Sequence, residues 1–148
     1  CMHTAIETSF FAPWETVKSI LPYVNLAFVD MKFFSNDLHK QYTGVDNELI
    51  KQNLLATNEL EDKFQLVVRT PIIPGLNDSE EELCKIGEFC TKLKKLSYVQ
   101  LLPYHKLGTA TYEKLGRTYA LPDIKSPTPD QMAGYVKIIE RYVENVIF

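Results

Sequence analysis

The chain has 148 residues, 45% of them hydrophobic and 11% aromatic, with only 6 Gly and 8 Pro, a composition that fits one folded globular domain and excludes a disordered one. Its 16 Lys and Arg against 19 Asp and Glu leave a net charge of -3 with neither sign gathered into a run, which argues against a nucleic-acid or membrane-surface partner. No apolar run approaches the roughly 18 residues of a membrane span, no secretion leader is expected, and the 3 cysteines fit neither a disulfide framework nor a tetrahedral metal spacing, so a reducing compartment is predicted.

Taken in chain order, strand and helix patterns alternate. His3 to Thr8 is a short strand pattern entered almost at once after Cys1. Pro13 stands where a first-turn proline belongs, and Trp14, Val17, Leu21 and Val24 follow at helical spacing. Leu26 to Lys32 is a second strand, and Asp46 opens a helix over Asn47 to Leu60. Phe64 to Ile72 is a third strand, which runs at Pro71 into a connector with Pro74 and Gly75. Ser79 with Glu82 resembles a capping box before the stripe Leu83, Ile86, Cys90 and Leu93. Val99 to Leu102 is the fourth strand. A last stripe of Met132, Val136, Ile139, Val143 and Val146 follows the cap Thr128, Pro129 and the acidic Asp130. Such alternation predicts right-handed βαβ units and a parallel sheet covered by helices. No glycine-rich first turn of the doubly wound kind is present, which favours a barrel-type arrangement with functional groups at the carboxyl ends of several strands.

Side chains alternate faces along a strand, so the ends can be compared. Glu7 closes the first strand, and Leu26, Phe28, Asp30 and Lys32 share one face of the second. Arg69 interrupts an apolar third strand, and His105 stands beyond the fourth on the parity of Val99 and Leu101. Buried charge is costly unless paired, so charged ends on one rim predict a shared polar cavity. Asp30 beside Lys32, with Glu7 and Arg69 nearby, suits a zwitterionic ligand carrying an ammonium and a carboxylate. A histidine side chain can donate or accept at neutral pH, so His105 suits a ligand contact and is equally suited to a structural bond with a backbone carbonyl.

In order, His3-Thr4-Ala5-Ile6-Glu7-Thr8-Ser9, Asp30-Met31-Lys32, Tyr42-Thr43-Gly44-Val45-Asp46-Asn47, Arg69-Thr70-Pro71-Ile72-Ile73-Pro74-Gly75 with Asn77-Asp78, and Leu101-Leu102-Pro103-Tyr104-His105 with Leu107-Gly108 carry a family pattern. Over nearly its whole length the sequence resembles the carboxyl-terminal part of the radical S-adenosylmethionine enzymes that activate glycyl radical enzymes. The resemblance implies the last four βα units of a (β/α)6 radical SAM barrel, a partial TIM-type barrel of parallel strands, in one domain over 1–148. It also implies that the units carrying the CxxxCxxC loop are absent from this chain, which alone is expected to be inactive. The implied cofactors are S-adenosyl-L-methionine and a 4Fe-4S cluster whose ligands lie in that missing part. Cys1, Cys84 and Cys90 do not match them.

By resemblance, Asp30 and Lys32 meet the ribose and carboxylate region of S-adenosylmethionine, and Glu7, Arg69 and His105 line the same ligand. Glu7 and Asp30 together are implied holders of a monovalent cation. No residue of this chain is implied as catalytic. The implied partners are a glycyl radical enzyme, pyruvate formate-lyase or a relative, and a flavodoxin- or ferredoxin-type electron donor, in an anaerobic cytoplasm. Two departures stand out: Phe10 occupies a position where the pattern usually has Gly, which puts the shape of the loop beside the ligand in question, and Ala120 stands where proline is frequent. Two other functions compete: a Schiff-base aldolase-like barrel using Lys32, with Asp30 and Glu7 as acid-base partners, and a non-catalytic interaction module.

Overall fold

The computed structural model describes residues 2–61, 63–106, 112, 114–116, 118, 121 and 123–148. Cys1, Leu107, Gly108 and Ala120 lie outside them. The expected strands form with small changes of boundary: β1 (Ala5–Thr8), β2 (Leu26–Asp30), β3 (Gln65–Ile72) and β4 (Leu96–Pro103). Helices α1 (Trp14–Ile20), α2 (Asn36–Thr43), α3 (Glu48–Ala56), α4 (Glu80–Cys90) and α5 (Pro129–Ile139) lie between and after them. A short strand β5 (Val146–Ile147) completes one all-parallel sheet of order β1-β2-β3-β4-β5. This is the α/β, parallel-strand architecture expected, as an open five-stranded sheet.

Two elements depart from the sequence pattern. The last stripe is helical only to Ile139, and Val146 leaves it to pair with Val99 as a fifth strand. Between β2 and α3 the chain forms α2, which has no apolar stripe to betray it but is bounded by a Ser35 cap and by Gly44 in the left-handed region at φ 86°. Elsewhere local signals act as expected. Thr128 and Gln131 close a reciprocal capping box on α5, and Ser79 accepts the Glu82 amide at the start of α4. The Glu82 carboxylate, however, does not return to the cap; it accepts the amides of Phe34 and Ser35 instead.

The sheet has one dry and one open face. Ala27, Val29 and Met31, Leu66, Val68 and Ile72, and Val99 and Leu101 point to the helices and join one core with Val17, Leu54, Leu83, Ile86 and Ile139. Each such side chain contributes about 1.5–3 kcal/mol by leaving water, which makes this layer the main source of stability. The opposite parity is exposed or half-buried at Glu7, Phe28, Asp30, Lys32, Arg69 and Gln100 and buried at Val67. Every charged strand end except His105 therefore falls on one face by backbone geometry alone.

Candidate functional site

Register brings the charges together. Asp30 lies directly opposite Arg69 in the β2–β3 pairing, and Glu7 lies opposite Phe28 in the β1–β2 pairing. Adjacent strands are about 4.8 Å apart, so the Arg69 side chain reaches Asp30 at once and Glu7 only by crossing β2. It crosses over the Phe28 ring, with the guanidinium carbon 5.3 Å from the ring centroid. Nε donates to Asp30 Oδ1 at 3.0 Å, while the two terminal nitrogens meet Glu7 Oε1 and Oε2 at 3.1 Å each. The pairing with Glu7 is thus a two-pronged fork, the geometry for which arginine is suited and lysine is not.

The electrostatics follow from burial. The Arg69 side chain is 14% exposed, against 28% for Asp30 and 69% for Glu7. Desolvation alone pushes the Arg69 guanidinium down, but the hydrogen bond it donates to Glu7 and the charge of Asp30 outweigh it and raise its pKa above the ordinary value. Glu7 is held below the usual carboxylate range by its hydrogen bond to Arg69 and by that residue's charge.

What these pairings leave unused defines the site. Among the described residues, Asp30 Oδ2 accepts no hydrogen bond and Lys32 enters no ion pair. Both residues line a cleft of about 150 Å³ with Ser9, Phe11, His39, Thr43, Val45 and Ile50. Lys32 and Thr43 also line an adjoining cleft of about 230 Å³, walled by Phe33, Tyr42, Ile73, Leu76, Tyr104, Tyr112 and Leu121. A free carboxylate oxygen and a free ammonium in one small cleft suit a ligand presenting a hydroxyl or ammonium to the first and a carboxylate to the second.

Of the residues singled out from sequence, Glu7, Asp30 and Arg69 form one hydrogen-bonded group, and Lys32 stands beside it in the Asp30 cleft. His105 does not join them: β4 ends at Pro103, the Val99 and Leu101 parity points to the helices, and His105 is exposed with no hydrogen bond to a described residue. The sequence pattern missed Ser9, His39 and Thr43, which line the cleft from the β1 exit and from α2. His39 is buried, with its Nδ1 2.7 Å from the Val45 carbonyl oxygen. Its only sequence signal was the cap-to-cap span from Ser35 to Gly44.

Phe10 resolves the question raised by its bulk. Its φ of 54° is the left-handed conformation that favours glycine, so the backbone keeps that shape while the ring is buried in the core. The buried Asn53 amide fixes the turn by donating to the Phe10 and Ala12 carbonyls at 2.8 Å each.

The described residues do not suit an iron–sulfur cluster. No group of three or more His, Cys, Asp and Glu side chains comes together among them. Cys84 and Cys90 lie on α4, and burial pushes the Cys90 thiol up to about 12, away from the thiolate a metal needs. No helix of the described residues is long and apolar enough to cross a membrane.

No family model matches the chain. It is 38% identical over 146 residues to the 4-hydroxyphenylacetate decarboxylase activating enzyme of Clostridium scatologenes, covering 99% of this chain and 46% of that protein. It is 36% identical over 140 residues to the indoleacetate decarboxylase activating enzyme of Tractidigestivibacter scatoligenes, covering 95% of this chain and 44% of that one. The chain therefore spans less than half the length of these curated relatives. Among solved structures it superimposes on a domain of pyruvate-formate lyase-activating enzyme from Bacteroides vulgatus with a TM-score of 0.78 at 25% identity, over 99% of this chain and 81% of that domain.

Proposed function

The chain belongs to the radical S-adenosylmethionine activating enzymes of glycyl radical enzymes, and from that premise we propose that it supplies the ligand-facing half of such an activase. In the whole protein, S-adenosylmethionine bound with a reduced 4Fe-4S cluster supplies the radical chemistry that removes a glycine hydrogen from a partner enzyme. This chain's own residues bind and orient. Lys32 meets the ligand carboxylate and Asp30 Oδ2 takes a ribose hydroxyl or the ammonium, while Arg69 holds the other Asp30 oxygen and fixes the carboxylate's rotation. The single observation that carries the assignment is that Asp30 Oδ2 and the Lys32 ammonium, neither with a partner among the described residues, line one cleft at the carboxyl ends of the strands. Glu7 acts through Arg69: with both its oxygens engaged there, it serves as a counter-charge before it serves any cation.

The partner is a glycyl radical enzyme. Its docking side is the same rim, where the exposed Phe11, Tyr42, Val45 and Tyr112 line the two adjoining clefts. Pyruvate formate-lyase is one member of that partner class, and the relatives named above serve decarboxylases. A low-potential flavodoxin or ferredoxin in an anaerobic cytoplasm completes the proposal. These relatives do not favour the Schiff-base use of Lys32 or the non-catalytic module. Calorimetric titration of this chain with S-adenosylmethionine tests the site: Lys32→Met is expected to weaken binding about tenfold or more. Binding unaltered in both Lys32→Met and Asp30→Asn, or absent in the unaltered chain, overturns it.

A further inference from the structure

The segment that carries Lys32 leaves the sheet at Asp30, and its buried backbone groups still need partners. Water or a turn would ordinarily provide them. Here buried side chains from other elements do so in succession. Thr70 Oγ1 donates to the Met31 carbonyl at 3.0 Å. Asn77 Nδ2 donates to the Lys32 carbonyl and to the Pro71 carbonyl at 2.7 Å each, while its Oδ1 accepts the Ile73 amide at 2.7 Å. Asn47 Nδ2 donates to the Phe33 and Phe34 carbonyls at 2.6 and 3.2 Å. Glu82 Oε1 accepts the Phe34 amide and, at 3.0 Å, the Ser35 amide. Thr70 and Asn77 are wholly buried, Asn47 is 1% exposed and Glu82 5%.

Burying four polar side chains to hold one short loop is costly unless the loop's position matters, because each is destabilising when its partner shifts. The loop's outward product is the Lys32 side chain, which lines both clefts. We propose that Asn77 and Glu82 are positioning residues for Lys32, clamping the backbone from Met31 to Ser35 from the core side so that the ammonium is presented at one fixed place. Neither lines either cleft. This inference rests on the ligand role of Lys32 proposed above, but part of its test does not.

The test is a double-mutant cycle on S-adenosylmethionine affinity, with the order parameters of the Met31–Ser35 amides measured beside it. Asn77→Ala and Glu82→Ala are each expected to weaken binding about tenfold in the unaltered chain and less than about twofold in the Lys32→Met background, because the clamp acts only through Lys32. Glu82→Gln keeps an acceptor oxygen and is expected to restore affinity to within about twofold. In the folded alanine variants the order parameters fall from about 0.85 to below about 0.6 across this segment, and in Asn77→Ala also across residues 71–77, whose Pro71 carbonyl and Ile73 amide it holds, with the rest of the sheet unchanged. Equal weakening in both backgrounds overturns the proposal, since it marks a general structural loss. Unchanged order parameters overturn it whether or not the ligand binds. Should the unaltered chain fail to bind S-adenosylmethionine, the ligand role of Lys32 falls and the order parameters alone decide the clamp. Thr70→Val, which removes a single donor at Met31, serves where Asn77→Ala does not fold.

Discussion

Phe10 sets two effects of comparable size against each other, and the structure says which wins. The residue sits at φ 54° with its ring 1% exposed. A left-handed conformation costs a residue with a Cβ about 1–2 kcal/mol, and glycine at this position is freed from that cost. Removing the ring costs more: deleting a buried phenylalanine to alanine size destabilises by about 3–5 kcal/mol, transfer and cavity terms together. Glycine also gives the unfolded chain more freedom, at about 0.5–1 kcal/mol. Phe10→Gly is therefore expected to destabilise by about 2–4 kcal/mol, although glycine is the residue the family pattern usually carries there. Phe10→Ala keeps the strain and loses the ring, so it is expected to be less stable than Phe10→Gly by roughly 1 kcal/mol, the reverse of the usual order of alanine and glycine. Urea unfolding followed by far-ultraviolet circular dichroism, with equal slopes for the three proteins, measures both differences. The reasoning fails if Phe10→Gly matches or exceeds the parent, or if alanine outranks glycine.

Three further predictions concern charge and thiols. In Arg69→Met, the nuclear magnetic resonance titration of the Glu7 carboxyl should move up toward the ordinary value of about 4.3, because its depression comes from the hydrogen bond and charge of Arg69. Since that carboxyl is depressed in the folded state, its stabilising share is full above the unfolded carboxylate pKa and is lost as pH falls through the lower folded value; the variant should lose part of the acid limb of its stability curve, and a Glu7 titration that does not shift refutes the pairing. Alkylation of the native chain at pH about 8, read peptide by peptide in a mass spectrometer, should modify the half-buried Cys84 well before Cys90, whose buried thiol is pushed up to about 12; equal rates would contradict this. Anaerobic reconstitution with iron and sulfide should give this chain no stoichiometric cluster, since Cys84 and Cys90 stand six residues apart on α4 and face different directions; a stoichiometric cluster with S-adenosylmethionine cleavage would overturn the division of labour proposed here.

What the sequence could disclose depended on how local the cause was. Period-two alternation is a property of the strand itself, so Asp30 and Lys32 could be placed on one face of their strand, and Glu7 and Arg69 at the same rim, before any contact was known; that all four share a face follows from the register of β1, β2 and β3. The same rule does not carry beyond the strand's end: His105 continues the parity of Val99 and Leu101, whose face packs on helices, but β4 stops at Pro103, so strand parity does not fix where that side chain lies. Strand β5 was hidden because Val146 also continues the helical spacing from Ile139 and Val143, and only pairing with Val99 makes it a strand. Glu82 shows the limit most clearly. Its spacing from Ser79 satisfies the local capping rule, yet the amides of Phe34 and Ser35, remote in sequence, claim its carboxylate.

The same distinction recasts Arg69. By residue type it belongs with the charges proposed to bind the ligand, but its prongs are taken by Glu7 and Asp30 and its plane is held over Phe28. A guanidinium so engaged does little direct binding and much orienting, since it decides which Asp30 oxygen remains free. The cradle offered to a zwitterion is then one oxygen and one ammonium, not four independent charges. That predicts graded losses of S-adenosylmethionine affinity: Asp30→Asn and Lys32→Met each about tenfold or more, Arg69→Met less than either, and Glu7→Gln least. Calorimetric titration across the series measures the order, and an Arg69→Met loss exceeding that of Lys32→Met would show that the arginine touches the ligand after all.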